Sequence, residues 1–544
     1  MPEHRESWEI KAQKCRDILS ASLKQEWLLP HDKLPSPDEL DVSGFIKKSN
    51  ALSDDELKIT ESSATELITR MRTGELTALA TVTAFLKRAH IGHQLLNFAT
   101  EFLTQEALAR AAELDKIFLS TGKLVGPLHG LPISLKEHIG LKDRITNATY
   151  VALIDNITTD DALLVRLLKT AGAIPIVRTN GPQSLMHVDC HNPIYGATLN
   201  PYHRRLTPGG SSGGEGASIG FRCAVMGVGT DIGGSVRVPA GFCGVYGLRT
   251  TALRNPYKGV VLPGQGQESI RCVISPLANS IEDINLFQSA VLDQEPWEEE
   301  TSLTPLPWRT VGPYKPQDIR VGIMWDDGLT RPHPPVRRAL QHAAGRLQEA
   351  GVDVVDWEPY AHDLGMDMIT DLYFPDAAQT QLELLHAGGE PIEPLTTNSF
   401  SWARPEAITV RENWDLNVRR DTYREEYHRL MKERGVDFIL CPVNVGVATE
   451  LGKGRNIPYT AIWNILDQPA VSIPTGLKLD PEIDMVEPDY TCRSAAEEYE
   501  YKRYVPELFA NAPIGLQVVG KHYRDEETVM AAALIASLVQ VQSD

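Results

Sequence analysis

Ile319-Arg-Val-Gly-Ile-Met324, followed by Val336, Leu340, Ala343 and Leu347, then by Gly351 and Val352-Asp-Val-Val355, is the stretch that decides the fold class. The first run is short, apolar and β-branched, as a buried strand requires. The four apolar residues that follow share one face of a helix, and Gly351 is placed to end it before a second strand begins. The same pattern stands earlier in the chain. Asp160 can cap a helix running to Ala171, Gly172 can close it, and Ala173 to Val177 reads as a strand. A further strand, Phe438 to Leu440, ends at Cys441-Pro442. Strands separated by helices need crossovers that return across the sheet. The expected architecture is therefore α/β, with a single large mixed β-sheet flanked by helices on both faces.

Before this alternation sets in, Glu6 to about Trp27, Ser63 to Met71, Thr77 to His90 and Thr104 to Leu119 carry apolar residues at helical spacing. Residues 1–60 read as a helical N-terminal layer and 61–544 as one large domain. No internal repeat or low-complexity linker interrupts it. The proline-rich segment Pro305 to Pro316 reads as a surface excursion, because αβ patterning resumes directly after it.

Composition narrows the function. With 42% apolar and 23% charged residues over 544 positions, the chain has ample material for a buried core. A net charge of −19, with no dense track of Lys and Arg, argues against nucleic acid as a partner. The seven cysteines are scattered and form no C-x-x-C pair, which fits a reduced intracellular compartment. Met1-Pro-Glu-His-Arg-Glu6 has no apolar leader, and no run of about 18 apolar residues would span a membrane. The expectation is a cytoplasmic protein without a membrane span. Val529 to Val541, broken by Ser537 and Gln540, reads as a packed terminal helix.

The centre of the chain holds Pro208-Gly-Gly-Ser-Ser-Gly-Gly-Glu-Gly-Ala-Ser218 and Gly227-Val-Gly-Thr-Asp-Ile-Gly-Gly-Ser-Val-Arg237. Clustered glycines are costly in conformational entropy unless they permit unusual dihedrals or a close backbone approach. A flexible loop is the bland alternative. A phosphate cradle is disfavoured, since Glu215 stands where the Walker pattern wants lysine, and a dinucleotide fingerprint fails at Ile232. Gly210-Ser-Ser-Gly-Gly214 satisfies the nucleophile elbow of serine esterases with Ser212 as nucleophile, but no strand precedes it. His187, Asp189, Cys190 and His191 are closely spaced, yet no partner segment with ligand-like spacing accompanies them, so neither a metal nor a cofactor is expected.

A third element joins these two motifs: Gly130-Leu-Pro-Ile-Ser-Leu-Lys-Glu-His-Ile139. Together, Lys136, the Gly-Gly-Ser-Ser-Gly-Gly run and Gly-Thr-Asp-Ile-Gly-Gly-Ser235 resemble the amidase signature family, in motif and in spacing. The likeness extends to Tyr459–Pro474 and Ala512-Pro-Ile-Gly-Leu-Gln-Val-Val-Gly520 and covers roughly residues 60 to 544. Pro-His-Pro-Pro335, Gln-Glu-Pro-Trp297 and the N-terminal helices are most similar to the fungal acetamidase branch. The resemblance implies hydrolysis of a small-molecule carboxylic amide to acid plus ammonia or amine through an acyl-enzyme. Ser235 would be the nucleophile, Ser211 the proton relay and Lys136 the base. It further implies a cis peptide between Gly210 and Ser211, and an acyl pocket on Thr179–Met186 in which Leu185 and Met186 touch substrate. Alternatives are a glutaminase subunit that supplies ammonia to a partner and the elbow-type esterase; a homodimer is left open.

The chemistry has its own logic. A serine hydroxyl needs an adjacent base, and lysine serves only when neutral, so its pKa must fall by roughly three units from about 10.4. Lys136 is therefore expected to be buried. A second hydroxyl lets the proton travel in two short hops and return to the leaving nitrogen. Backbone N–H groups at Ile232, Gly233, Gly234 and Ser235, free of bulky Cβ groups at the glycines, can converge on one oxygen as an oxyanion hole. Thr230, Asp231 and Arg237 read as the hydrogen-bonded scaffold of that turn.

Overall fold

The computed structural model describes residues 7–541, so the expectation for Met1–Glu6, including the first residue of the N-terminal helix, lies outside the described residues. The strands are β1 (Ala99–Phe102), β2 (Pro132–Lys136), β3 (Ile174–Thr179), β4 (His191–Asn192), β5 (Gly196–Ala197), β6 (Met226–Asp231), β7 (Tyr246–Arg249), β8 (Val273–Ala278), β9 (Arg320–Ile323), β10 (Asp353–Asp356), β11 (Phe438–Pro442), β12 (Ala470–Lys478) and β13 (Pro513–Val519). Apart from the small β4–β5 ribbon, they form among the described residues one eleven-stranded sheet in the order β1-β3-β2-β6-β8-β7-β12-β13-β11-β9-β10. Parallel ladders join β3-β2-β6 and β11-β9-β10, and antiparallel ladders make up the centre, so the sheet is mixed.

Side-chain alternation along the strands divides the interior. In β11, Phe438 and Leu440 join the cluster that holds Val336, Leu340 and Leu347 of helix Pro334–Glu349 and Ile535 of helix Asp525–Val539. Ile439 and Cys441 join the cluster of Met368, Tyr427 and Trp463 on the opposite face. The period of two delivers one strand to two apolar layers, and each layer is a set of helices.

The unit that decides the fold forms as β9, helix Pro334–Glu349 and β10, with β10 as an edge strand whose Asp353 and Asp356 face solvent. The earlier unit differs at its helix start. The helix runs Leu163–Thr170 without a side-chain cap, and Asp160 is exposed. The N–H groups of Ala162 and Leu163 donate instead to the carbonyls of Gly140 and Lys258, at 2.8 and 3.0 Å, so neighbouring segments do the work of a cap. Helices Ala64–Arg72 and Ala78–Leu96 start where expected, each capped by the preceding Ser63 or Thr77 hydroxyl. No helix among the described residues is long and apolar enough to cross a membrane.

Candidate active site

Three chain segments meet at one end of the sheet. Lys136 is the last residue of β2, Ser211 and Ser212 precede the helix Gly213–Gly220, and Ile232 to Ser235 form the turn leaving β6. Because β2 and β6 are neighbouring parallel strands, their C-terminal ends place Lys136 beside that turn. The backbone N–H of Ser212 donates to the carbonyl of Ser235 at 3.0 Å, which binds the two serine segments together. Ser211 and Ser235 both line a cavity of about 660 Å³, along with His138, Leu185, Met186 and Thr230.

Lys136 is only 1% exposed. Its Nζ donates to Ser211 Oγ at 2.7 Å and to Thr230 Oγ1 at 3.2 Å. Among the described residues no carboxylate pairs with it, and burial draws its pKa down to about 8. Glu215, buried nearby, receives the hydroxyls of Ser134 at 2.5 Å and Thr179 at 2.7 Å. Burial pushes that carboxyl up to about 8, so it does not supply a firm counter-charge. The peptide between Gly210 and Ser211 is cis. Gly210 has no room for a side chain: a Cβ there would lie 2.1 Å from the carbonyl oxygen of Asp189.

The turn after β6 is held from below. Asp231 accepts the N–H of Gly234 at 2.9 Å and of Val236 at 3.2 Å, and pairs with the Arg237 guanidinium through two bonds of 3.0 Å. Burial alone would raise this carboxyl, but Arg237 and the Asn464 amide hold it far below the usual range. Arg237 also reaches Asn464 Oδ1 at 2.6 Å and Gln517 Oε1 at 3.1 Å. The carbonyls of the turn are taken as well. Tyr373 donates to that of Ile232 at 2.8 Å and Thr460 to that of Gly233 at 2.7 Å. Gly234 has φ +127°, and a Cβ there would meet Thr460 Oγ1 at 2.1 Å. Because the N–H of Gly234 belongs to Asp231, the donors left unengaged among the described residues are those of Ile232, Gly233 and Ser235.

The amidase family model matches residues 80–529. The chain belongs to the amidase signature family. It is 36% identical to an acetamidase of Emericella nidulans, over 98% of each chain, and 37% identical to one of Aspergillus oryzae, over 98% of this chain and 99% of the other. A solved fatty acid amide hydrolase superposes with a TM-score of 0.96 at 39% identity, covering 98% of this chain and 96% of that one. The protein is an amide-hydrolysing enzyme.

Elsewhere in this amidase, Leu185 and Met186 line the cavity, and Ser184 and Leu185 hold φ of 66° and 60°. Non-glycine residues rarely sit there, and such strain collects where a surface must be shaped for a ligand. Ser212 is wholly buried. Its Oγ donates to the Thr230 carbonyl and accepts the Thr230 N–H, both at 3.2 Å, so it is committed to the backbone rather than to a histidine. Asp189 spends its oxygens on the N–H groups of Cys190 and Gly452, and His191 pairs with Glu393 at 2.5 Å. Thr230 is more than scaffold: it lines the cavity and touches both Lys136 and His138. Sequence reasoning passed over His138, although it lies two residues beyond Lys136 in the same motif. It also passed over Tyr373 and Thr460, which no local pattern connects to the turn they support.

Proposed function

We propose that the enzyme cleaves a carboxylic amide to acid plus ammonia or amine through a Ser-Ser-Lys triad and an acyl-enzyme. The observation that carries this is the buried, uncompensated Lys136 amine 2.7 Å from Ser211 Oγ, in a cavity that Ser211 and Ser235 share. Neutral Lys136 takes the Ser211 proton as Ser211 takes that of Ser235, and Ser235 Oγ forms a bond to the amide carbon. The N–H groups of Ile232, Gly233 and Ser235, left unengaged among the described residues, are the donors available to the oxygen that becomes negative. Each such donor typically contributes ~10²–10³ in rate. Ser211 then hands its proton to the leaving nitrogen and recovers one from Lys136; the C–N bond breaks and the acyl-enzyme remains. Water attacks the ester carbon, gives its proton back along the same path, and Ser235 leaves protonated.

The cavity favours an acyl group larger than acetyl. Its volume lies within the roughly 300–1,000 Å³ of sites that hold drug-sized ligands, and Leu185, Met186, Leu253, Leu262 and Ile270 give it apolar walls. Acetamide would leave most of that surface uncovered. The test is ammonia release from acetamide, benzamide and oleamide by the wild type and by Ser235→Ala, Ser211→Ala and Lys136→Ala. Ser235→Ala is expected to abolish acylation, and the other two to slow it severely. Normal turnover by Ser235→Ala would refute the mechanism, and a marked preference for acetamide would refute the substrate assignment.

A further inference from the structure

We infer that His138, acting through the Thr230 hydroxyl, orients the Lys136 amine so that its lone pair faces Ser211; His138 is thus a positioning residue for the base. The inference rests on the reading of Lys136 as that base. It follows from counting protons along one hydrogen-bonded row.

The His138 Nδ1 atom lies 2.9 Å from the carbonyl oxygen of Val261, which can only accept, so Nδ1 carries the ring proton. Burial first, and then the nearby Lys136, keep the imidazole well below its ordinary pKa, so at neutral pH the ring has just that one proton. Nε2 is then a lone pair, 3.0 Å from Thr230 Oγ1. Of the two side-chain acceptors in reach of Thr230, this imidazole nitrogen is far stronger than the Cys272 sulfur, so the Thr230 hydroxyl spends its single proton there. What Thr230 offers to Lys136 Nζ, 3.2 Å away, is consequently an acceptor. A neutral amine has two N–H bonds and one lone pair. With one N–H drawn to Thr230, the lone pair is free for Ser211 Oγ at 2.7 Å, where a base must present it. When Lys136 has taken the proton, the bond to Ser211 reverses and the ammonium donates to both hydroxyls, so no heavy atom in the row needs to move during the reaction. Without His138, Thr230 could rotate its proton onto the Lys136 lone pair and compete with Ser211 for it.

A merely structural role is the rival. The N–H of Val261 donates to the His138 carbonyl at 2.9 Å, and Val260 and Leu262 on either side line the cavity. A histidine that only pinned this wall would act on substrate binding. The two roles separate in the kinetics of the full-length chain, measured by ammonia release from whichever of acetamide, benzamide and oleamide the wild type turns over fastest. Positioning predicts that His138→Phe lowers kcat about 10- to 100-fold with KM within about twofold, since a slightly misplaced reacting group is costly. His138→Gln, which can turn an amide oxygen to Thr230, should recover most of that loss. Thr230→Val should be slowed to a similar degree, and His138→Phe/Thr230→Val should be no slower than the worse single variant, because both changes break the same row. Losses that multiply in the double variant, or a raised KM at unchanged kcat, would overturn the inference. Should His138→Phe not fold, the comparison of His138→Gln with Thr230→Val and Thr230→Ser still reads the row. Lys136→Ala serves as the control: full turnover there defeats the base reading itself, whereas a dead Lys136→Ala beside a fully active His138→Phe defeats only the role of His138.

Discussion

Lys136 and Arg237 are both cations carried into the interior at neighbouring edges of the same site, and their surroundings are opposite. Arg237 is met by the Asp231 carboxylate and by the side-chain oxygens of Asn464 and Gln517. Lys136 is met by two hydroxyls and no carboxylate within ion-pair distance among the described residues. A buried charge is tolerable when it is paired and fully hydrogen-bonded, and otherwise the group gives up its proton. Arg237 therefore stays charged and holds the turn, whereas Lys136, drawn down to about 8 by burial, has a substantial fraction of free amine within about one unit of neutral pH. One fold uses the same physical cost twice: compensated, it builds a scaffold; uncompensated, it makes a base.

The largest effect expected from breaking this contrast is on rate. Lys136→Met keeps much of the side-chain volume and removes the base, and kcat should fall by about 10³-fold, within the range general-base catalysis supplies. Its stability should move the other way. Because the native pKa lies below the unfolded value of about 10.4, the unfolded chain binds more protons between about pH 8 and 10.4, and stability rises with pH across that window. Below pH 8 the full penalty, ~3 kcal/mol, weighs on the wild type. Thermal unfolding at pH 7 should show Lys136→Met at least as stable as the wild type, with the difference shrinking by pH 10.5. A clear loss of stability at pH 7 would mean that the lysine is not held at a cost.

Arg237→Met should behave in reverse, losing ~3–5 kcal/mol because Asp231 is left buried and unpaired. Adding Asp231→Asn to it should restore part of the loss, as measured by chemical denaturation. If Arg237→Met unfolds at the wild-type denaturant midpoint, the pair is not the scaffold described here.

How much of this contrast is written in the sequence depends on the range over which it is encoded. The β9–helix–β10 unit is legible because one helix face and two short apolar runs are local patterns, and the glycine-rich turns are legible because close backbone approach, as at Gly210 against Asp189, tolerates no other residue. The direction of strand pairing is not. An antiparallel centre formed by β6, β8, β7, β12 and β13 leaves no mark in the period of any one strand, since both pairings bury alternate side chains. The start of the helix at Leu163 is hidden for a similar reason, being fixed by carbonyls of Gly140 and Lys258 rather than by the nearby Asp160. Within the site, the ends of the Arg237 network come from Asn464 and Gln517, more than two hundred residues downstream. Gln517 stands inside a segment whose family likeness was visible, but nothing local says which way its amide points. His138 was in plain view, and its significance needed the coordinates of Val261 and Thr230.

The pH dependence of turnover gives a more moderate test. With Lys136 required as the neutral amine, kcat/KM should rise about tenfold per pH unit below about 8 and level off above it. Other buried groups, Glu215 among them, also titrate near that pH, so the rise is to be measured alongside Glu215→Gln. A midpoint unchanged in Glu215→Gln is expected if the amine governs the profile. A midpoint near pH 4 to 5, as for a carboxylate base, would remove Lys136 from that role.

The smallest expected effect falls on Ser212, the third hydroxyl of the region and the one that an elbow-type esterase would need as its nucleophile. Its Oγ bridges the N–H and carbonyl of Thr230, and it lies outside the cavity that Ser211 and Ser235 line. Ser212→Ala should cost about 1 kcal/mol or slightly more, since the Thr230 N–H and carbonyl lose a buried partner. Turnover should fall by no more than a few fold, through the slight loosening of the Thr230 backbone that places the hydroxyl facing Lys136. Set beside Ser211→Ala, this compares adjacent serines of similar burial that differ in what they touch. A loss of activity in Ser212→Ala as deep as that in Ser211→Ala would show that the row from Lys136 to Ser235 has been assigned to the wrong hydroxyl.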